Sequence, residues 1–253
     1  MASDLRLRAA PFDGSVGMSI SARAKRLAVK LRRRVIRRIN SAAGVYGQKV
    51  FCVGRNKTGT TTMKELLTHY GYRLGPQAEA ERFVWEDRWA MGPAFWEWVD
   101  RYEAFQDVPF SSSWFLPELY ARYPDAKYVL TLRDPDDWFE SIANHHYGKL
   151  GLPRDADPAL VAHRLKADTY IAPGYLHGTH TRQFAIGSDD LLYDRAHYKQ
   201  NLEEHNALVR RTIPADQLFE LEIAKTRETG ELCAFLGIPP ILKRRMPWAN
   251  RRR

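Results

Sequence analysis

Residues 49–62 read KVFCVGRNKTGTTT, and the order of these residues decides the fold. Val50, Phe51, Cys52 and Val53 are apolar and rich in β-formers, as a short strand buried on both faces of a parallel sheet requires. Gly54, Arg55, Asn56, Lys57, Thr58 and Gly59 then make a turn, after which Met63, Leu66 and Leu67 fall at helical spacing. A strand, a loop and a helix start in that order aim unpaired backbone N–H groups and the positive end of a helix dipole at one point. Lys57 adds a charge there, and Thr58, Thr60, Thr61 and Thr62 add hydroxyls, so the expected guest is a phosphate-like anion. The competing reading is an ordinary glycine turn with a solvated lysine.

At 253 residues the chain is long enough for one domain, or one with an insertion, around an ample core. The two cysteines, Cys52 and Cys233, stand in apolar contexts, which suits reduced core residues of a cytosolic-type protein. No metal-ligand spacing, no signal peptide and no run of about 18 apolar residues is present, so the expectation is a cytoplasmic protein without a membrane span.

The formal net charge is +9, and residues 1–44 account for all of it, with eleven Lys and Arg against Asp4 and Asp13. The body is acidic up to a second basic cluster, Lys243, Arg244, Arg245 and Arg251 to Arg253. Over residues 22–39 the basic run is periodic: Ala24, Ala28, Leu31, Val35 and Ile39 form an apolar stripe, with Leu27 and Ile36 beside it. Such a cationic amphipathic helix suits an anionic membrane surface or an acidic partner, or else packs on the body; a mitochondrial presequence is a third option. No aromatic interleaving or motif supports nucleic acid as the partner.

A second informative stretch follows the plain buried strand KYVLTL at 127–132. Arg133, Asp134, Pro135, Asp136, Asp137, Trp138, Phe139, Glu140 and Ser141 close that strand and open a helix, with Asp134 as N-cap and Pro135 at its first position. Two helical turns bring the Ser141 hydroxyl back towards the strand end, and an arginine there offers a planar fork suited to phosphate. Both stretches lie where open α/β sheets bind ligands, at the C-terminal ends of strands.

A Walker-type nucleotide loop places its lysine after the second glycine, whereas Lys57 precedes Gly59. The run Lys57, Thr58, Gly59, Thr60, Thr61 instead resembles the 5′-phosphosulfate loop of sulfotransferases that use 3′-phosphoadenosine 5′-phosphosulfate (PAPS), K-[ST]-G-T-[TS]. Arg133 to Ser141 is similar to that family's second signature, whose arginine and serine bind the 3′-phosphate. The phrase LCAFLGIP at 232–239 resembles the family's final helix, and the likeness covers most of residues 48–240.

The resemblance implies an α/β fold, a parallel sheet flanked by helices on both faces in a P-loop NTPase-like architecture, preceded by the basic helix. The implied organisation is a leader at 1–44 and a sulfotransferase domain at 45–253. It implies transfer of a sulfuryl group from PAPS to a hydroxyl or amine of a small-molecule, lipid or glycan acceptor, leaving adenosine 3′,5′-bisphosphate. A sulfuryl group carries less negative charge than a phosphoryl group, so donors and a lysine can replace magnesium. The implied cofactor ligands are Arg55, Asn56, Lys57, Thr58, Gly59, Thr60, Thr61, Thr62, Arg133 and Ser141, with Lys225 and Arg227 where a covering loop returns. Thr62 stands where many relatives carry tryptophan, so the adenine must stack elsewhere.

Lys57 is the expected catalytic cation. Where cytosolic members have a histidine ending the second strand, this chain has Asp107, followed by Val108 and Pro109, which makes Asp107 the expected general base, with His69, His145 and His146 in reserve. The aromatic stretch from Phe83 to Tyr102 reads as core before acceptor site. Residues 149–195, broken by Pro and Gly, read as an insertion with a lid or acceptor role, and His177 and His180 as surface residues. The alternatives from other classes are a nucleotide-dependent kinase and a membrane-surface or nucleic-acid adaptor using the leader.

Overall fold

The computed structural model describes residues 20–247. Four parallel strands make one sheet in the order β2-β1-β3-β4: β1 (Val50–Cys52), β2 (Ala104–Gln106), β3 (Lys127–Leu132) and β4 (Leu218–Glu222). The chain runs from β1 out to β2, then crosses to β3 on the other side of β1, so the topological switch lies between β1 and β3. Phe51 is paired with Phe105 and with Tyr128, which fixes the register of the three strands.

Alternation along the strands divides the core in two. Phe51, Val53, Phe105, Tyr128 and Leu130 face a large aromatic core with α3 (Gln77–Glu86), α4 (Pro93–Asp100), α5 (Leu116–Arg122) and Val209 of α9 (Arg195–Thr212). Val50, Cys52, Ala104, Val129 and Leu221 face α2 (Thr60–His69) and α10 (Gly230–Leu236) on the other side. Helices therefore cover both faces, as the sequence implies. Both cysteines are buried and unpaired, and burial pushes the Cys52 thiol up to about 12.

A third cluster joins Trp138, Phe139 and Ile142 of α6 (Pro135–Leu150) to Val161 and Leu165 of α7 (Pro158–Ala167), and to Tyr198 and Leu202 of α9. The segment 149–195 is thus packed into the fold. With α8 (Tyr175–Gln183) it makes a helical wall beside the sheet's C-terminal rim. His180 is buried in that wall rather than lying on the surface, and His177 pairs with Asp189.

The basic helix α1 (Ile20–Ala42) docks through its C-terminal half. Ile36 and Asn40 are buried, Asn40 donates to the Tyr70 carbonyl, and Arg37 forks onto Glu103, which Arg73 also holds. Its stripe residues Leu27, Leu31 and Val35 remain 58%, 50% and 56% exposed. Among the described residues no helix is long and apolar enough to cross a membrane.

Candidate active site

The loop after β1 is held from behind. Gly54 lies so close to β3 that a Cβ there would meet Thr131 Oγ1 at 2.2 Å, so only glycine fits. Thr58 donates to the Arg55 carbonyl (2.6 Å), Trp138 Nε1 to the Asn56 carbonyl (2.9 Å), and Arg133 to the Lys57 carbonyl (3.1 Å). With three successive carbonyls turned into the protein and claimed, the loop's other face carries amides. Gly59 precedes the first turn of α2 without a side-chain cap, so the N–H groups of Gly59, Thr60 and Thr61 are offered at the helix start. A Cβ on Gly59 would strike Ile223 Cδ1 at 2.2 Å, which sets the end of β4 against the loop. Lys57 holds φ 68°, in the left-handed region that an unbranched lysine enters only under constraint.

The two sequence signatures meet. Arg133 and Lys57 occupy one rim, linked by the hydrogen bond just described. Asp134 caps α6 by accepting from the amides of Asp136 and Asp137, Pro135 starts the helix, and Ser141 lies two turns along it, half-buried. Lys225 follows β4, pairs with Glu222 (2.9 Å), and feels the charge of Asp134. Arg227 lines a cavity of ≈570 Å³ with Ile223, Arg245, Met246 and Pro247, closed by the C-terminal segment bonding back through Met246 N–H to the Arg227 carbonyl (2.8 Å). Cationic side chains thus stand after β1, β3 and β4, three adjacent strands.

Two expected ligands point elsewhere. The Arg55 side chain is fully buried beneath the loop, donating to the Ser111 carbonyl, Ser113 Oγ and Asn201 Oδ1. It contacts the core rather than a ligand, because Ser111, Ser113 and Asn201 supply the acceptors that water would otherwise supply. Ser113 in turn donates to His205 Nδ1, whose Nε2–H donates to the Val53 carbonyl (2.7 Å). Burial pulls the Arg55 guanidinium down to about 9, still cationic at neutral pH, and holds His205 well below the ordinary histidine range. The Thr58 hydroxyl, likewise expected on the ligand, is spent on the Arg55 carbonyl and on Thr131 Oγ1 (2.6 Å).

Asp107 ends β2 at φ 67°, its Oδ1 accepting from the Val108 amide (3.1 Å). Burial raises its pKa, against the opposing pull of the Val108 N–H, Lys57, Lys64 and the Thr60 hydroxyl. The Lys57 charge is felt at His145 and His146 as well, so ammonium, carboxylate and imidazoles share one neighbourhood. His69, the other reserve base, lies at the far end of α2 among Arg32, Arg33 and Arg244 and takes no part.

In front of Asp107 lies a cavity of ≈390 Å³ walled by α3, α6, α7 and α8. Among its lining atoms Asn56 Oδ1, Glu81 Oε2, Tyr175 OH, Thr179 Oγ1 and Gln183 Nε2 are buried and make no well-formed hydrogen bond among the described residues; Tyr170 stands by the Glu81 carboxyl and Thr179 by the Tyr175 hydroxyl as their nearest polar company. Glu81 escaped the sequence reading. Its one signal is a carboxylate set between Ala80 and Val84 on the buried face of α3. Trp85 and Trp89 back the wall from behind, Trp85 meeting Tyr175 edge-on, so the aromatic stretch is chiefly core. Among the described residues no group of three or more His, Cys, Asp or Glu is placed to hold a metal ion.

Fold and site together define an α/β protein with cationic side chains and a helix start gathered at the C-terminal rim of a parallel sheet and a cavity beside them. Its family is identified by comparison: the pattern of the sulfotransferase domain matches residues 49–253, and the chain belongs to that family. It is 28% identical over 207 residues to Ava biosynthesis cluster protein M of Aspergillus versicolor, covering 76% of each chain. Among solved structures it is similar to a sulfotransferase from Alicyclobacillus acidocaldarius at 19% identity and TM-score 0.45, covering 76% of this chain and 82% of that one.

Proposed function

We propose that the protein is a PAPS-dependent sulfotransferase acting on a hydroxyl or amine acceptor, with Lys57 and Asp107 as its catalytic pair. One observation carries the reading: the guanidinium of Arg133 and the loop of Lys57 touch across the β1–β3 switch, so two anion-binding signatures from distant sequence form one site. The donor set fits a doubly anionic nucleotide, since the loop offers amides, hydroxyls and a lysine while its carbonyls are already claimed. The amides of Gly59, Thr60 and Thr61 would hold the 5′-phosphosulfate together with Lys57. Arg133 and Ser141 would hold the 3′-phosphate, with Lys225 and Arg227 beyond them, and Ile223, Met246 and Pro247 offer apolar surface for the base.

Bound there, PAPS supplies an activated sulfuryl group. The Lys57 ammonium offsets negative charge that develops at the loop during transfer. Asp107, desolvated and therefore more basic than an ordinary aspartate, accepts the acceptor's proton at its carboxylate and fixes its orientation. The test is a thermal-shift titration with adenosine 3′,5′-bisphosphate beside ATP with magnesium. The bisphosphate raises the melting temperature of the wild type and loses that effect in Arg133→Ala; stabilisation by ATP with magnesium alone would favour a kinase.

The exposed stripe of α1, flanked by Lys25, Arg26, Lys30 and Arg34, supports a second component of the reading: peripheral attachment to an anionic membrane surface.

A further inference from the structure

We infer that the cavity in front of Asp107 is the acceptor site and that its occupant is a small, ring-bearing molecule with at least two hydroxyl or amine groups, one of them bound by Glu81. The inference rests on the sulfotransferase reading of the neighbouring loop. The cavity's ≈390 Å³ is the size of a small-molecule site, and Tyr170, Tyr175 and Phe184 give it flat walls. The buried orphans on those walls then choose the chemistry. Glu81 Oε2 can only accept while ionised, Gln183 Nε2 can only donate, and Tyr175 OH and Thr179 Oγ1 can do either.

An acyl chain would leave Gln183 Nε2 unpaired, and Glu81 Oε2, Tyr175 OH and Thr179 Oγ1 with no more than the poor contacts to Tyr170 and to each other, at a cost that the apolar contact must first overcome. A long polysaccharide is disfavoured, because the polar groups to be met, on Glu81, Tyr175 and Gln183, are buried at the back of the cavity and only a compact group reaches them. A compact ring with a hydroxyl at each pole satisfies both ends at once: one pole before Asp107, the other on Glu81. Glu81 is itself held in place. Gln77 Nε2 donates to Glu81 Oε1 (3.2 Å) and to the Val108 carbonyl (2.8 Å), tying the second carboxyl to the residue after Asp107. Burial raises Glu81 to about 7, so in mildly alkaline buffer it is ionised and a hydrogen bond to it is charge-assisted.

The experiment is a calorimetric titration in mildly alkaline buffer with three probes: a dihydroxynaphthalene, the corresponding naphthol and dodecanol. The dihydroxy probe is expected to bind about tenfold more tightly than naphthol, and Glu81→Gln to bring the two to near parity. Gln183→Leu, a second variant, should weaken the dihydroxy probe several-fold as well. Glu81→Gln should also melt at a higher temperature than the wild type in that buffer, because a buried charge is gone; a purely structural carboxyl would not gain stability while losing ligand. Dodecanol binding tightest, or a preference unchanged in Glu81→Gln, would overturn the assignment. Adenosine 3′,5′-bisphosphate is titrated into the same samples: its failure to bind the wild type counts against the donor reading, while the probe series still decides the cavity.

Discussion

Lys57 and Asp107 each hold a left-handed backbone, at φ 68° and 67°, Lys57 in the loop after β1 and Asp107 directly after β2. Such conformations cost about 1–3 kcal/mol apiece and persist where the surroundings impose them. Asp107→Asn is expected to lower kcat by about 100-fold with adenosine 3′,5′-bisphosphate binding kept, since the amide cannot take a proton. Because burial raises Asp107, the acidic limb of the wild-type pH–rate profile should lie above the range of a solvated aspartate if this carboxylate is the base, activity falling as pH drops through that raised value. The limb should be absent from the residual rate of Asp107→Asn, and a full rate in that variant would dismiss Asp107 as base. The placement of Lys57 and Asp107 past the ends of β1 and β2 is readable in the sequence because each follows a short apolar strand closely. The orientation of Arg55 is not. Whether an arginine in a turn faces out or in depends here on Ser111, Ser113 and Asn201, residues far along the chain.

The β-strands and the helices that start with a proline or a capping aspartate were readable because their signals are local. β3 covers the six residues of KYVLTL, and α6 begins at Pro135 behind Asp134 as expected. The α8 segment YLHGTHTRQ has no apolar period and a mid-helix glycine. A Cβ on Gly178 would stand 3.0 Å from Trp89, a tight contact that only tertiary packing reveals. α1 is readable in part: its periodicity gives a helix but leaves open which face packs, and the contacts decide it, since Ile36, Asn40 and Arg37 dock while Leu27, Leu31 and Val35 face out. Glu103 anchors that arrangement. Burial would raise its pKa, but hydrogen bonds from the Arg37 side chain and the Arg73 amide outweigh it and hold the carboxyl below the ordinary value. A depressed carboxyl stabilises the fold above its unfolded pKa and loses that contribution as pH falls through the folded value. Acidification should therefore loosen α1 first, seen as early hydrogen exchange at residues 33–40, and Glu103→Gln should reproduce this at neutral pH, lowering stability by about 2 kcal/mol through the loss of its charge-assisted hydrogen bonds. Sedimentation with phosphatidylserine vesicles tests the outer stripe: binding at low salt, lost at high salt and in Leu31→Glu, each nearby cation contributing about 1 kcal/mol. Equal sedimentation with neutral vesicles would remove the membrane assignment.

At the scale of the molecule the sheet order β2-β1-β3-β4 makes the C-terminal ends of β1, β3 and β4 consecutive, and those ends carry Lys57, Arg133 and the Lys225–Arg227 loop. Arg55 sits beneath with no carboxylate among its partners, adding buried positive charge behind the cradle. A ligand with one anionic group would engage only the loop after β1. A ligand anionic at two ends would span the rim, and the segments it touches would then open less often together, because binding the native state alone stabilises it by RT ln(1 + [L]/Kd), about 2.7 kcal/mol at a hundredfold excess over Kd. Hydrogen exchange with adenosine 3′,5′-bisphosphate should therefore slow together at residues 54–62, 133–141 and 225–229, while α1 exchanges as before. Inorganic phosphate should protect the first segment alone. Lys57→Ala and Arg133→Ala should each abolish protection in all three segments, since neither half-site holds the whole ligand against a Kd raised by the loss of a charged contact. Protection confined to 54–62 with the bisphosphate would mean that the arginine after β3 answers to the loop carbonyl and not to a second phosphate, and the two-anion site would have to be given up.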